Sequence, residues 1–97
     1  MKQNQLALDY QRLVRKRFPT AFVVSGLPAP EGATVLDVLN LPDGEKETFY
    51  EFYFDVVVPE AEAAGLRSAV LIAHDATTTA KSFPEFANLK AASSAAN

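Results

Sequence analysis

The fold is decided by residues 36–75, which read LDVLNLPDGEKETFYEFYFDVVVPEAEAAGLRSAVLIAHD. This stretch contains an apolar segment, a turn, an aromatic-rich block, a glycine and a second apolar segment that ends in His74 and Asp75. Residues 34–41 and 68–73 have the apolar, β-branched composition of buried strands. Because a helix between two such strands carries the chain back across the sheet, the order predicts a β-α-β unit with parallel strands.

The aromatic-rich block, residues 45–64, fits two interpretations. In a helix, its large side chains recur at i, i+3, i+4, i+7 and i+8 and form one face: Phe49, Phe52, Tyr53, Val56 and Val57. In a strand, residues 48–58 would complete a hairpin, and Pro59 would open a short helix. Pro59 opposes a continuous helix, because proline in a helix interior costs about 3 kcal/mol. We prefer the helix, with an antiparallel hairpin over residues 34–58 as the alternative.

The rest of the chain adds a helix and a strand before this unit and a short helix after it. An amphipathic helix is expected over residues 5–17, a strand over residues 20–25, and a short C-terminal helix that Asp75 caps. Together these elements predict a mixed two-layer α/β domain with two or three strands; the alternative is an α+β domain built on the hairpin. The domain is expected to comprise residues 1–90, and residues 91–97 to form a flexible tail.

Charge is unevenly distributed along the 97 residues of the chain. The net charge is −3, but residues 1–17 carry +4 and the remaining chain carries −7. The basic side chains that could contact nucleic acid cluster in the first helix: Arg12, Arg15, Lys16 and Arg17. Four charges on one helix make a small footprint, and the acidic residues of the aromatic block would repel phosphate. Nucleic acid is therefore not an expected partner.

The composition excludes several kinds of site. The chain has no cysteine, so it has no disulfide, no thiolate metal site and no cysteine nucleophile. A single histidine without cysteine makes a poor transition-metal set, and neither a metal nor a cofactor is expected. The N-terminal residues lack the apolar core of a secretory signal, and no apolar run reaches the roughly 18 residues of a membrane span. The expected location is the cytoplasm, with no membrane association.

A candidate site lies where the two predicted parallel strands end. Open α/β sheets bind ligands at the edge where the carboxyl ends of their strands meet. The catalytic candidates are His74 and Asp43, since an imidazole can act as a general base and a carboxylate can orient it. Asp43 is the better partner, because consecutive strand residues such as His74 and Asp75 point to opposite faces. Further ligand-binding candidates at this edge are Asn40, Gly44, Asp75, Thr77 and Thr78.

A structural interpretation of the same residues is the more common one. No nucleophile elbow and no glycine-rich phosphate loop accompanies them. His74 can simply end a strand while Asp75 caps the next helix. Asp37 interrupts the apolar run of its strand, so one face of the sheet is expected to be only partly buried.

The aromatic-rich block holds more apolar surface than one helix face can bury. Tyr50, Phe54 and Val58 flank its main apolar face and are the candidate interface residues. The amphipathic first helix could cover them within the domain; alternatively, a second subunit in a homodimer or another protein partner could do so. With no recognisable catalytic set, the sequence favours a small non-enzymatic interaction or regulatory module that self-associates. The alternatives are a ligand-binding protein or enzyme that uses His74 and Asp43, and a nucleic-acid binder that uses the first helix.

Overall fold

The computed structural model describes residues 2–95, with side chains described through residue 92. The strands are β1 (Phe22–Ser25), β2 (Val35–Leu41) and β3 (Val70–Asp75). The helices are α1 (Gln5–Val14), α2 in three consecutive sections (Lys46–Phe52, Tyr53–Val57 and Val58–Ala63), α3 (Ala76–Ser82) and α4 (Phe86–Ala95). None of the helices in residues 2–95 has both the length and the apolar character needed to cross a membrane.

The three strands form one mixed sheet in the order β1-β2-β3. β1 runs antiparallel to β2, whereas β3 runs parallel to β2 after α2 has carried the chain across. The predicted mixed α/β fold and its β-α-β unit are confirmed. The alternative hairpin over residues 34–58 is wrong, because residues 46–63 are helical. A flexible tail was expected over residues 91–97. α4 continues to Ala95, and residues 96 and 97 lie outside the described residues. The flexibility of this segment stays a prediction.

The main core lies between the sheet and the helices α1 and α2. Each strand sends alternate side chains to this core, among them Val23, Leu36, Val38, Leu71 and Ala73. The helices contribute residues spaced three or four apart: Ala7, Tyr10 and Val14 from α1, and Phe49, Tyr53, Val57 and Ala61 from α2. The helical periodicity that the sequence predicts for α2 is therefore the pattern of its burial.

The opposite face of the sheet is covered only in part. α3 and α4 pack there with a smaller cluster of apolar side chains: Phe22, Val24, Leu39 and Phe86, with Phe83 and Leu89 at its margin. Toward β3 this cover ends, and Val70 and Ile72 retain exposures of 51% and 42%. We call this side of the sheet the half-covered face.

A π-helical turn reconciles Pro59 with a continuous α2. Proline has no N–H, so it cannot make the usual helical hydrogen bond to the carbonyl four residues earlier. The section before it, Tyr53–Val57, is π-helical, and the Val58 N–H donates to the Tyr53 carbonyl five residues earlier. This change of register lets the chain enter the last section, Val58–Ala63, with proline in its first turn. Pro59 thus does not end the helix.

The outer edge of β1 is capped by side chains of α1 and of the segment before it. Val23 N–H donates to Gln11 Oε1 at 3.0 Å, and Val23 O accepts from Gln3 Nε2 at 3.2 Å. The same Gln3 amide donates to Gln11 Oε1 at 2.6 Å. Arg15 Nε donates to Ala21 O at 2.8 Å. Free groups at a sheet edge can pair with another chain, so these contacts close the edge to strand addition.

On the outer edge of β3, the Tyr50 hydroxyl occupies the position of a neighbouring strand. It accepts from the Ala73 N–H at 3.0 Å and donates to Leu71 O across 3.5 Å. A residue of a parallel partner strand would bond to the same pair of groups, two positions apart. Tyr53 extends the cap by donating to Ala69 O at 3.0 Å. Two of the aromatic side chains of α2 therefore close the second edge of the sheet.

Candidate functional site

The predicted strand-end residues meet, but they bind the start of α3. Asp43 Oδ1 accepts from the Thr77 N–H at 3.0 Å, and Asp43 Oδ2 accepts from the Thr77 hydroxyl at 2.6 Å. These hydrogen bonds lower the pKa of the Asp43 carboxyl, the hydroxyl contributing most and the backbone N–H next. Asp75 caps the same helix, as predicted, by accepting from the Thr78 N–H at 2.8 Å. Both carboxylates are thus engaged by backbone groups at one helix N-terminus.

Asn40 connects β2 to its neighbours. It lies at an irregularity of the strand and has a φ of 65°, a left-handed conformation that asparagine tolerates better than most residues. Its N–H donates to the hydroxyl of buried Thr79 at 2.9 Å, and its side-chain amide donates to Thr20 O at 3.1 Å. Gly44 has a φ of 83° in the exposed turn that follows. The Asn40 side chain therefore makes structural contacts at the position where the sequence predicts ligand binding.

His74 pairs with Asp37, a residue of the neighbouring strand. His74 Nε2 lies 2.9 Å from Asp37 Oδ1, and each side chain is 18% exposed. Since a carboxylate only accepts, the imidazole N–H is the donor. The Phe83 ring packs edge-on against the imidazole, with 4.7 Å between centroids. The expected pair with Asp43 is not formed, because Asp43 is held at the start of α3 while the strand register places Asp37 opposite Ile72, two residues from His74.

A groove with a volume of about 320 Å³ opens over Asp37 on the half-covered face. The end of β1 and the segment between α3 and α4 form its walls, which include Ser25, Leu27, Ser82 and Phe83. Gly26 lets the end of β1 approach closely, since a Cβ at this position would lie 3.1 Å from Asp37 Oδ2. Two carboxylates, those of Asp37 and Glu85, and two hydroxyls among apolar walls are the composition of a small-ligand site.

Asp37 was not a predicted site residue, although the sequence contained a signal. It interrupts the apolar run of β2 and so marks a place where that strand is not fully buried. Its partner could not be read from the sequence, because the pairing depends on the register between β2 and β3. Among the residues that the structure describes, no group of three or more acidic or histidine side chains could hold a metal ion.

The basic residues of α1 and the turn after it make contacts within the fold. The Arg15 guanidinium lies 4.6 Å from the centre of the Phe22 ring, in addition to its hydrogen bond at the β1 edge. Lys16 Nζ lies 2.9 Å from a carboxylate oxygen of Glu60 on α2. Arg12 pairs with an aspartate of its own helix at 3.4 Å, and Arg17 lies over an adjacent phenylalanine ring. These contacts compete with phosphate for the side chains that a nucleic-acid interface would use.

Of the three predicted interface residues, Phe54 is the exposed one. Its side chain is 66% exposed, and its ring meets Tyr53 edge-on at 5.1 Å. Tyr50 and Val58 are partly buried against the main core. Val70 and Ile72 form a separate exposed apolar surface on the half-covered face, since alternate residues of β3 share one side of the sheet.

Comparison of the chain with protein-family models, with curated proteins and with solved structures gives no match. A functional proposal for this protein therefore depends on its own contacts, exposures and charges.

Proposed function

We propose that this protein is a non-enzymatic interaction module that forms a homodimer through the half-covered face of its sheet. The observation that carries the proposal is the exposure of Val70 and Ile72 on one side of β3. The apolar face of a sheet is ordinarily buried against a helix layer or a second sheet. A second copy of the same face would supply that cover through a two-fold interface.

The capped edges of the sheet favour association through a face. Edge-to-edge pairing requires free backbone N–H and C=O groups. On β1 the groups of Val23 are bound by Gln3 and Gln11, and on β3 the Ala73 N–H is bound by Tyr50. Arg15 and Tyr53 bind the carbonyls of the residues just before these strands. Packing of one sheet face on another requires no such groups.

The surface is small, so the expected dimer is weak. Burying the exposed half of Val70 and of Ile72 is worth about 1 kcal/mol each, because complete burial of such a side chain is worth about 1.5–3 kcal/mol. A two-fold interface uses each residue twice, which gives about 4 kcal/mol from the four side chains. A net 4 kcal/mol corresponds to a dissociation constant of about 1 mM, and the loss of translational and rotational freedom weakens it further, so we expect roughly 1 mM or weaker.

Sedimentation equilibrium of the native protein and two variants tests this proposal. The change Ile72→Ser removes about 2 kcal/mol from a two-fold interface, so the dimer should dissociate about 30-fold more readily. The matched change Phe54→Ser alters an exposed apolar residue on α2 and should leave the dissociation constant unchanged. A dimer sensitive to Phe54→Ser but not to Ile72→Ser would move the interface to α2. A strict monomer at every concentration would remove self-association.

We also propose that the protein acts in the cytoplasm. A chain without cysteine gains no disulfide from an oxidising compartment. Fractionation of cells that produce the tagged chain checks this location, and recovery from the membrane or secreted fraction would contradict it.

A further inference from the structure

We propose that the groove over Asp37 binds a small organic cation, namely a protonated primary amine carried on an apolar stem. The groove adjoins the proposed dimer surface, because Asp37 pairs with Ile72 across the β2–β3 ladder, but its walls are the segment between α3 and α4 and the end of β1. The inference comes from three properties of the groove: an oriented carboxylate, the chemistry of the walls, and the volume.

The Asp37 carboxylate is fixed in orientation and has one oxygen available. Its Oδ1 is held by His74 Nε2 at 2.9 Å, and the side chain is four-fifths buried. Its Oδ2 makes no hydrogen bond with the residues that the structure describes. The absence of a Cβ at Gly26 leaves space beside this oxygen. An ammonium group in the groove would donate a charge-assisted hydrogen bond to Oδ2, which is stronger than a bond from a neutral donor.

The walls of the groove match an amine with an apolar stem. Leu27 and Phe83 offer apolar surface, and the hydroxyls of Ser25 and Ser82 can accept the remaining ammonium hydrogens. No lysine or arginine occurs among the described residues that line the groove. An anionic ligand would meet the Asp37 charge without a compensating cation, and a neutral ligand would lose the charge-assisted bond. The lining has two carboxylates, and no group of three or more acidic or histidine side chains among the described residues could hold a metal ion.

The volume of the groove selects a small molecule. Ligand pockets in proteins range from about 300 to 1,000 Å³, and the groove, at about 320 Å³, is near the lower limit. A single ring or a short alkyl chain with one ammonium group fits this size. We therefore assign the site to a free amine and not to a lysine side chain of a protein partner.

Three probes of matched shape test the charge preference on the unaltered protein: 2-phenylethylammonium, 2-phenylethanol and 3-phenylpropionate. His74 is the only histidine, so ¹³C-labelled histidine reports on the partner of Asp37 through one imidazole. The ammonium should bind saturably and shift the imidazole signals, the alcohol should bind roughly tenfold or more weakly, and the carboxylate should not bind. Equal binding of ammonium and alcohol, or no response to the ammonium, would overturn the proposal.

Two matched variants test whether Asp37 is the cation-binding residue. Asp37→Asn keeps an oxygen acceptor for His74 but removes the charge. It should lower the affinity for 2-phenylethylammonium roughly tenfold to a hundredfold. Asp55→Asn makes the same charge change at an exposed position on α2 and should leave binding unchanged. If both variants lower the affinity for the ammonium probe equally, the effect comes from net charge, and the proposal that Asp37 binds the cation would be overturned. If Asp37→Asn does not fold, the probe comparison on the native chain still decides.

A blocked lysine amide separates the two sources of an ammonium group. It carries the same group on a peptide-like backbone, and it should bind more weakly than 2-phenylethylammonium in the same titration. Tighter binding of the lysine amide would overturn the assignment to a free amine.

Discussion

Replacing Tyr50 by phenylalanine removes the hydroxyl that bridges two backbone groups of β3. The Ala73 N–H loses its 3.0 Å acceptor, whereas the 3.5 Å contact with Leu71 O is long and contributes little. Leaving a partly buried donor unpaired costs about 1–2 kcal/mol. The ring remains, and it keeps its edge-on contact with Phe49 at 5.3 Å, so no cavity adds to the loss. The free energy of unfolding should therefore fall by about 1–2 kcal/mol. The Tm should fall by roughly 4–8 °C for each kcal/mol.

Urea denaturation measures this change, and hydrogen exchange at the Ala73 amide locates it. The matched variant Tyr53→Phe loses the same atom, but it frees only the Ala69 carbonyl, which water can satisfy more readily. The free energy of unfolding of Tyr53→Phe should therefore fall by less than about 1 kcal/mol. Tyr50→Phe should also aggregate more readily, because it opens the β3 edge. Unchanged stability together with unchanged exchange at Ala73 would refute the role of the Tyr50 hydroxyl as an edge cap.

Two further variants probe the surroundings of the sheet. The hydrogen bonds from Thr77 lower the pKa of Asp43 in the folded state. The ionised carboxylate therefore stabilises the fold at any pH above its ordinary pKa, and this contribution is lost as the pH falls through the lowered pKa. Asp43→Asn should therefore be less stable than the native chain at neutral pH, and the difference in stability should disappear in acid. Urea denaturation at a series of pH values measures this difference. A difference that stays constant with pH would argue against this linkage. Gly26→Ala places a Cβ 3.0 Å from a Val35 methyl and 3.1 Å from Asp37 Oδ2. It should cost about 1–3 kcal/mol in urea denaturation and shift the single imidazole signal, and the absence of both effects would show that the end of β1 moves freely.

The fold could be predicted in outline because its strongest signals are local. The aromatic residues of α2 recur with helical spacing, and that spacing outweighed Pro59. The π-helical turn at Tyr53–Val57 could not be predicted, because it depends on the hydrogen-bond register of the whole helix. The antiparallel position of β1 beside β2 likewise depends on tertiary packing that a four-residue strand does not encode.

The site was predicted less well, because it depends on register and on the direction of side chains. His74 was identified, but its partner is Asp37 across the β2–β3 pair, a diagonal that follows from the strand register. Asp43 reaches the start of α3, where the positive end of the helix attracts a carboxylate. Tyr50 was expected at an interface from its position on the flank of α2, yet its hydroxyl turns to the edge of β3. A polar tip on an apolar ring can satisfy a backbone group, and composition alone does not tell which one.

The homodimer through the half-covered face is tested most directly at Ile72, the only isoleucine of the chain. Selective ¹³C labelling of its δ1 methyl gives a single NMR signal from within the proposed interface. In a mixture of labelled and unlabelled protein, we expect a shift that changes with concentration and nuclear Overhauser contacts from this methyl to Val70 of the second copy. Two results together would contradict the sheet-face interface. The methyl signal would not change with concentration, and no contact between copies would be seen under conditions where sedimentation detects a dimer.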